Sequence, residues 1–212
     1  MFEELEQLDK NGIDYANRLF ISDRAHLVSS FHMEVDGLAE ERLGETKIGT
    51  TRRGIGPTYA SKALRFNMRV GEMAGSWEAF KAKYDHFQKQ AAAQFSYDKF
   101  KQQKELDELR KLHERMNKGK MIVDTVQFMH EALNDPKKRI IAEGANATML
   151  DMDFGTYPFV TSSSTTIGGI VTGLGIPPHA LETNIGIVKA YTTRVGSGPF
   201  PTELEDETGV ML

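Results

Sequence analysis

The sequence predicts an α/β chain, and three observations predict it. Glycine divides the 212 residues into a glycine-poor middle between two glycine-rich flanks, and from Trp77 to Glu143 the only glycine is Gly119. Apolar residues in that middle recur at helical spacing. In the flanks, short apolar runs lead into loops of glycine, serine and threonine, the order in which strands hand over to ligand-binding turns in α/β proteins. The predicted organisation is a strand-and-helix segment over residues 1–75, a mostly helical subdomain over 76–138 and a sheet segment over 139–212.

Taken in order, Leu19, Phe20, Ile21 and Ser22 read as a strand, followed by a helix from Asp23. Residues 49–65 read GTTRRGIGPTYASKALR. Each part suits a phosphate: glycines let the backbone turn and approach closely, a helix starting near Pro57 offers unpaired N–H groups, and arginine supplies a bidentate fork. The run is not a dinucleotide fingerprint, because Gly54-x-Gly56 meets Tyr59 where a third glycine belongs, and Gly173-x-Gly175 runs into Pro177. Phe80, Tyr84 and Phe87 form one helical stripe, Leu106, Leu109, Leu112 and Met116 a second, and Ile122, Val126, Met129 and Leu133 a third. These are core stripes, and the alternating charges of residues 101–120 read as a solvated helix face. After the Asn134-Asp135-Pro136 break, residues 139–143, RIIAE, read as a short buried strand.

That strand leads into residues 143–169, EGANATMLDMDFGTYPFVTSSSTTIGG, with seven serines or threonines between Thr156 and Thr166. Short hydroxyls beside glycine let N–H and O–H groups converge on anionic oxygens. A serine-rich surface loop has the same composition.

Composition narrows the functions open to the chain. Hydrophobic residues make up 40%, enough for a core, and the net charge of −4 with interspersed signs argues against a nucleic-acid footprint. With no cysteine, disulfides and thiolate metal sites are excluded. His26 and His32 are six apart and read as surface or core residues. No run reaches membrane-spanning length, and the acidic start MFEELEQLDK is unlike a secretory leader, so the cytosol is the expected compartment. Asn146-Ala147-Thr148 is then a formal sequon without a glycosylation role.

Three separated runs, GIGPTYASKALR, EGANATMLDMDFGTYPFVTSSSTT and KAYTTRVGSGPFPTEL, resemble the adenylosuccinate synthetase family, most closely its eukaryotic forms. The resemblance extends from RLFISDRAHL at residues 18–27 to TELEDETG at 202–209. It implies that family's fold, a P-loop-like central sheet with a helical subdomain, and GTP-dependent ligation of L-aspartate to inosine monophosphate (IMP). It also implies magnesium as cofactor and a homodimer.

Carried over residue by residue, the resemblance makes Thr51 a holder of the IMP 5′-phosphate and Arg65 an arginine reaching the same phosphate from the neighbouring subunit. Asn146 takes the place of a nucleotide-contacting amide, Thr161 of a second hydroxyl near the phosphate, and Val195 of a residue beside the ribose. Arg53 matches an arginine assisting the aspartate carboxylates, while the position of Arg52 varies in charge. Read without the family, Thr51 and Thr161 suit helix caps, Asn146 a turn, Arg65 an exposed helix and Val195 a core. Where the family has a glycine just after Arg65, this chain has Phe66-Asn67, and Asn is the residue expected to take a left-handed turn there.

The family's GTP-phosphate loop, catalytic Asp and His, and magnesium ligands correspond to positions upstream of Met1, and its guanine-recognising segment to positions beyond Leu212. No G-x-x-x-x-G-K-[ST] occurs, since Gly119-Lys120 is followed by Met121. The expectation is a central segment of the enzyme, inactive alone, with a non-catalytic nucleotide-binding or dimerisation module as the alternative.

Overall fold

The computed structural model describes residues 2–44, 48–95, 102–145 and 147–211. Asn146 therefore lies outside the described residues. In chain order the elements are α1 (Phe2–Lys10), β1 (Ile21–Ser22), α2 (Ser30–Arg42), α3 (Ile55–Ala63), α4 (Trp77–Phe95), α5 (Gln102–Lys118), β2 (Ile122–Val123), α6 (Thr125–Asn134), α7 (Ile167–Leu174) and α8 (Glu207–Met211). The chain is mixed α/β and mostly helical. Among the described residues its one sheet is a parallel pair, with Ile21 opposite Ile122 and Ser22 opposite Val123.

Two compact units divide the chain, one of Met1–Phe31 and Ala60–Asp135, the other of His32–Tyr59 and Pro136–Leu212. In the first, the predicted aromatic stripe is the core. Phe80, Tyr84, Phe87, Gln88 and Ala91 are the buried face of α4, and Phe87 meets Phe31 edge-on with ring centroids 5.7 Å apart. The α5 stripe contributes buried Leu106 and Met116.

A carboxylate ties these helices together. Glu105 of α5 accepts the Ser30 N–H at 2.7 Å and the Ser30 hydroxyl at 2.7 Å, so it caps the start of α2 from a distance. The Tyr84 hydroxyl donates to the same carboxylate at 2.6 Å, and Gln88 Nε2 donates to that hydroxyl at 2.8 Å.

Three sequence expectations are corrected. No helix follows Asp23: residues 23 and 24 turn, with Ala25 N–H on the Ser22 carbonyl at 3.1 Å, and the backbone groups that a helix would use are taken by residues 68–71, with Gly71 N–H on the Asp23 carbonyl at 2.8 Å, Val70 N–H on the Ala25 carbonyl at 2.8 Å and Leu27 N–H on the Met68 carbonyl at 3.0 Å. Ile122 belongs to a strand and not to the helical stripe, because Asp124 caps α6 through the N–H groups of Val126 and Gln127 and so fixes its start beyond Ile122. Residues 139–143 form no strand, and Ile141 is 95% exposed. A buried strand needs a neighbour, and among the described residues none lies alongside to pair with it.

Residues 182–193 of the second unit have the same character. Ile187 is 92% exposed, and no backbone hydrogen bond involves this stretch among the described residues.

Replacing Tyr84 by Phe removes a charge-assisted bond to Glu105 and strips Gln88 Nε2 of its acceptor. The expected loss is about 1.5–3 kcal/mol, read from urea unfolding of the chain; an unchanged midpoint would show that the network contributes nothing net.

Candidate functional site

The second unit brings the predicted motifs together, and glycine contacts are what join them. The loop 49–54 leaves the end of α2 and returns to start α3, with Gly49, Arg52 and Gly54 all at positive φ. Gly54 is required twice over. Its φ is +75°, and a Cβ there would lie 2.8 Å from the backbone of His32 and Met33 in α2. Helix α3 begins at Ile55, two residues before the expected Pro57, and Thr58 N–H closes onto the Gly54 carbonyl at 3.0 Å.

At one end of this loop a Cβ on Gly49 would come within 3.0 Å of Gly196 Cα, and Ser197 N–H reaches the Ile48 carbonyl at 3.3 Å. Just past the other end, a Cβ on Gly56 would lie 3.2 Å from Ser162 Oγ. The loop carrying Thr51 and Arg53 thus runs between the residue after Val195 and the residue after Thr161. Thr51, Arg52 and Arg53 are all exposed. Arg52 turns back to Glu41 at 3.5 Å, whereas Arg53 makes no ion pair among the described residues, so it is the arginine of the two left to meet an anion.

Thr161 is half-buried. Its N–H is fixed on the Leu150 carbonyl at 2.9 Å, and its hydroxyl oxygen receives Ser163 Oγ at 3.5 Å. With its oxygen accepting from Ser163, the Thr161 hydroxyl still has its own proton to donate. Val195 is 85% exposed, so it is not a core residue of this unit. Arg194 latches its neighbourhood: Nε donates to the Ser197 carbonyl at 3.0 Å and Nη2 to the Phe159 carbonyl at 3.2 Å.

Asp151 organises the hydroxyl-rich wall, and the sequence reading missed it. Its side chain is buried, 1% exposed. Oδ1 accepts from the N–H groups of Asp153 and Phe154, each at 3.0 Å, and Oδ2 from Thr165 at 2.7 Å and Thr166 at 3.2 Å. These bonds, that from Phe154 foremost, hold its pKa down at about 2 against the ordinary 3.8. Two of the N–H groups expected to face a ligand therefore serve an internal anion. Asp151, followed beyond Met152 by Asp153-Phe154-Gly155, is a turn signal that could have revealed it.

Arg65 belongs to the first unit. It is exposed, with φ +65°, and ends α3, where Phe66 N–H bonds to the Ser61 carbonyl at 3.2 Å. The left-handed turn expected of Asn67 falls on Arg65 itself. Asn67 instead uses its side chain locally, Oδ1 accepting Met68 N–H at 2.9 Å and Nδ2 donating to the Leu27 carbonyl at 3.3 Å.

His32 is buried and His26 half-buried, its pKa lowered by burial and then by Lys62 and Arg69. Among the described residues no three His, Cys, Asp or Glu side chains gather as a metal site needs, and no helix is long and apolar enough to cross a membrane.

Fold and site together define an α/β chain that presents hydroxyls and an arginine on a glycine-bracketed loop, a class suited to nucleotide phosphates. The adenylosuccinate synthetase family model matches residues 1–212. The chain is 53% identical over 212 residues to adenylosuccinate synthetase of Paramecium tetraurelia, covering 100% of this chain and 48% of the relative. It is 51% identical over 217 residues to that of Meyerozyma guilliermondii, covering 100% and 50%. A solved structure, the fully ligated adenylosuccinate synthetase of Plasmodium falciparum, superposes with a TM-score of 0.83 at 42% identity, covering 98% of this chain and 49% of that one. The chain belongs to the adenylosuccinate synthetase family, and it spans about half the length of the curated relatives it matches.

The sign of the Asp151 effect on stability follows from its depressed pKa. The unfolded chain takes up this proton near pH 3.8 and the folded one only near 2, so the contribution is complete above about pH 4 and is lost as pH falls towards 2. Asp151→Asn keeps the shape but turns a donor towards one pair of N–H groups. The variant is expected to unfold at lower urea at pH 7 and to lose part of the wild-type acid dependence between pH 4 and 2; equal stability at both pH values would refute the role given to this carboxylate.

Proposed function

We propose that this chain forms the IMP-binding half of an enzyme that ligates L-aspartate to IMP at the expense of GTP, giving adenylosuccinate, GDP and phosphate. The observation that carries the proposal is the bracketing of loop 49–54 between Gly196 and Ser162, which gathers Thr51, Arg53, Thr161 and Val195 in one unit. Family membership supplies the reaction.

The chemistry suits such a wall. The six-position oxygen of IMP is a poor leaving group until it is phosphorylated; the γ-phosphoryl group passes to that oxygen and GDP departs. The amine of aspartate then attacks the six-position carbon, the carbon–oxygen bond breaks with its electron pair leaving on phosphate, and the new carbon–nitrogen centre gives up a proton. Negative charge builds in each step, and fixed donors lower its energy without reorganising. In this reading Thr51 and Thr161 donate hydroxyl protons to the 5′-phosphate, Asn146 offers its amide to the nucleotide, Val195 lies beside the ribose and Arg53 meets an aspartate carboxylate.

Among the described residues no three His, Cys, Asp or Glu side chains gather, and in the family reading the magnesium ligands and the general base lie outside this chain. The exposed apolar runs around Ile141 and Ile187 support a larger folded unit, because side chains of this kind are ordinarily covered. The enzyme is proposed to be a cytosolic homodimer in which Arg65 acts across the interface.

In a full-length enzyme carrying this segment, Thr161→Ala is expected to weaken IMP binding by roughly 1.5–3 kcal/mol and to spare GTP. Titration calorimetry with each nucleotide decides it, and an unchanged IMP affinity removes Thr161 from the site.

Subunit mixing tests Arg65. A full-length Arg65→Leu variant and a second variant inactivated in its catalytic aspartate should each be nearly inactive as homodimers. Mixed at equal amounts they should recover about a quarter of wild-type activity, because about half the dimers are mixed and half their sites are complete. No recovery, with exchange confirmed independently, would place Arg65 in its own subunit's site.

A further inference from the structure

Helix α2 carries two buried acids one turn apart, Asp36 at 9% and Glu40 at 4% exposure, and neither has a role in the reaction just described. Their partners lie at the two ends of the same loop. Asp36 Oδ2 accepts the Gly54 N–H at 2.9 Å, and Glu40 Oε1 accepts the Gly49 N–H at 2.6 Å. The spacing is what makes this possible, since residues four apart on a helix share one face. Glu41, next along, takes Arg52 at 3.5 Å.

We propose that Asp36 and Glu40 are positioning residues that clamp the two ends of loop 49–54 to α2 and so set the geometry in which Thr51 and Arg53 meet the nucleotide. The inference rests on the reading of that loop as the phosphate-binding element. Three features argue for it together. Buried carboxylates are costly unless paired, and here they are held by backbone donors of this one loop. Gly54 is packed against α2 so closely that any Cβ would overlap His32 and Met33, so the clamp has no slack at that end. Between the two anchored glycines the side chains of Thr51, Arg52 and Arg53 stand exposed, and Glu41 holds Arg52 aside and leaves Arg53 available.

A loop that binds an anion through a few short hydrogen bonds loses them when its ends shift by an ångström. The negative charge behind the loop also opposes a phosphate in front of it, and the clamp therefore serves geometry at some electrostatic cost. A neutral acceptor of the same shape should serve nearly as well.

The test uses Asp36→Ala, Asp36→Asn, Glu40→Ala and Glu40→Gln in a full-length enzyme carrying this segment, with Thr51→Ala as reference. KM for IMP is expected to rise roughly tenfold or more in each alanine variant, KM for GTP to stay, and the Asn and Gln variants to recover most of the IMP affinity. In the chain itself, Asp36→Ala should speed amide exchange at Gly54, and Glu40→Ala at Gly49. Should an alanine variant fail to fold, Asp36→Glu, which keeps the charge but moves the acceptor by a methylene, should raise KM for IMP in its place.

A merely structural role would instead lower the active fraction and kcat, with both KM values unmoved, and that result overturns the proposal. So does unchanged exchange at both glycines. If Thr51→Ala leaves KM for IMP untouched, the phosphate reading of the loop fails and the positioning role fails with it. A rise for Thr51→Ala without one for the clamp variants overturns the clamp alone.

Discussion

Much of the second unit hangs on the carboxylate of Asp151, because four backbone N–H groups from two separate stretches converge on its two oxygens. Residues 153 and 154 form the turn that follows it, and residues 165 and 166 lead into α7. With these points fixed, the chain between them has little freedom. Thr161 N–H falls on the Leu150 carbonyl and Met152 N–H on the Ser163 carbonyl, which sets the level at which the Thr161 hydroxyl stands. A wall of small side chains has scarcely any hydrophobic contact to hold it, and a buried anion supplies the missing rigidity through directional bonds.

The same device recurs through the molecule. Glu105 gathers the start of α2 and the Tyr84 hydroxyl in the first unit, while Asp36 and Glu40 take loop amides in the second. In each case a buried or half-buried acid is matched to donors of the backbone or a hydroxyl, and among the described residues to no lysine or arginine. Backbone donors cannot swing away to solvent as a long cationic side chain can, so such pairs fix main-chain geometry more tightly than ion pairs would. The consequence for the site is that Arg53 is not consumed in holding the protein together.

Periodicity made α4 and α5 legible, because their buried faces come from residues close in sequence and need no distant partner to be recognised. The loop 49–56 was legible for a related reason: its glycines announce tight turns and close approach, and both occur at Gly54. What could not be read was set by non-local pairing. Residues 23–27 form a turn and a short pairing with residues 68–71 in place of a helix, and residues 139–143 pair with no strand among the described residues. Asp36 and Glu40 were hidden because an acid on a helix ordinarily faces water, and only the returning loop shows that these two do not. The roles proposed for Thr51, Asn146, Thr161 and Val195 rest on the resemblance, since isolated hydroxyls and amides carry no signature of their own.

The stretch around Ile187 carries the residue preferences of a strand. Ile185, Ile187 and Val188 are 84%, 92% and 90% exposed, on a backbone whose N–H and C=O groups find no internal partner among the described residues. A neighbouring strand laid alongside such a segment satisfies both the backbone and the apolar side chains at once. Gly186 in its centre weakens that tendency by making an extended conformation more costly to hold, yet the flanking β-branched residues favour it. The residue preferences of this stretch are therefore those of a strand that lacks its partner among the described residues, and what it asks of a neighbour is both an edge of backbone groups and an apolar face.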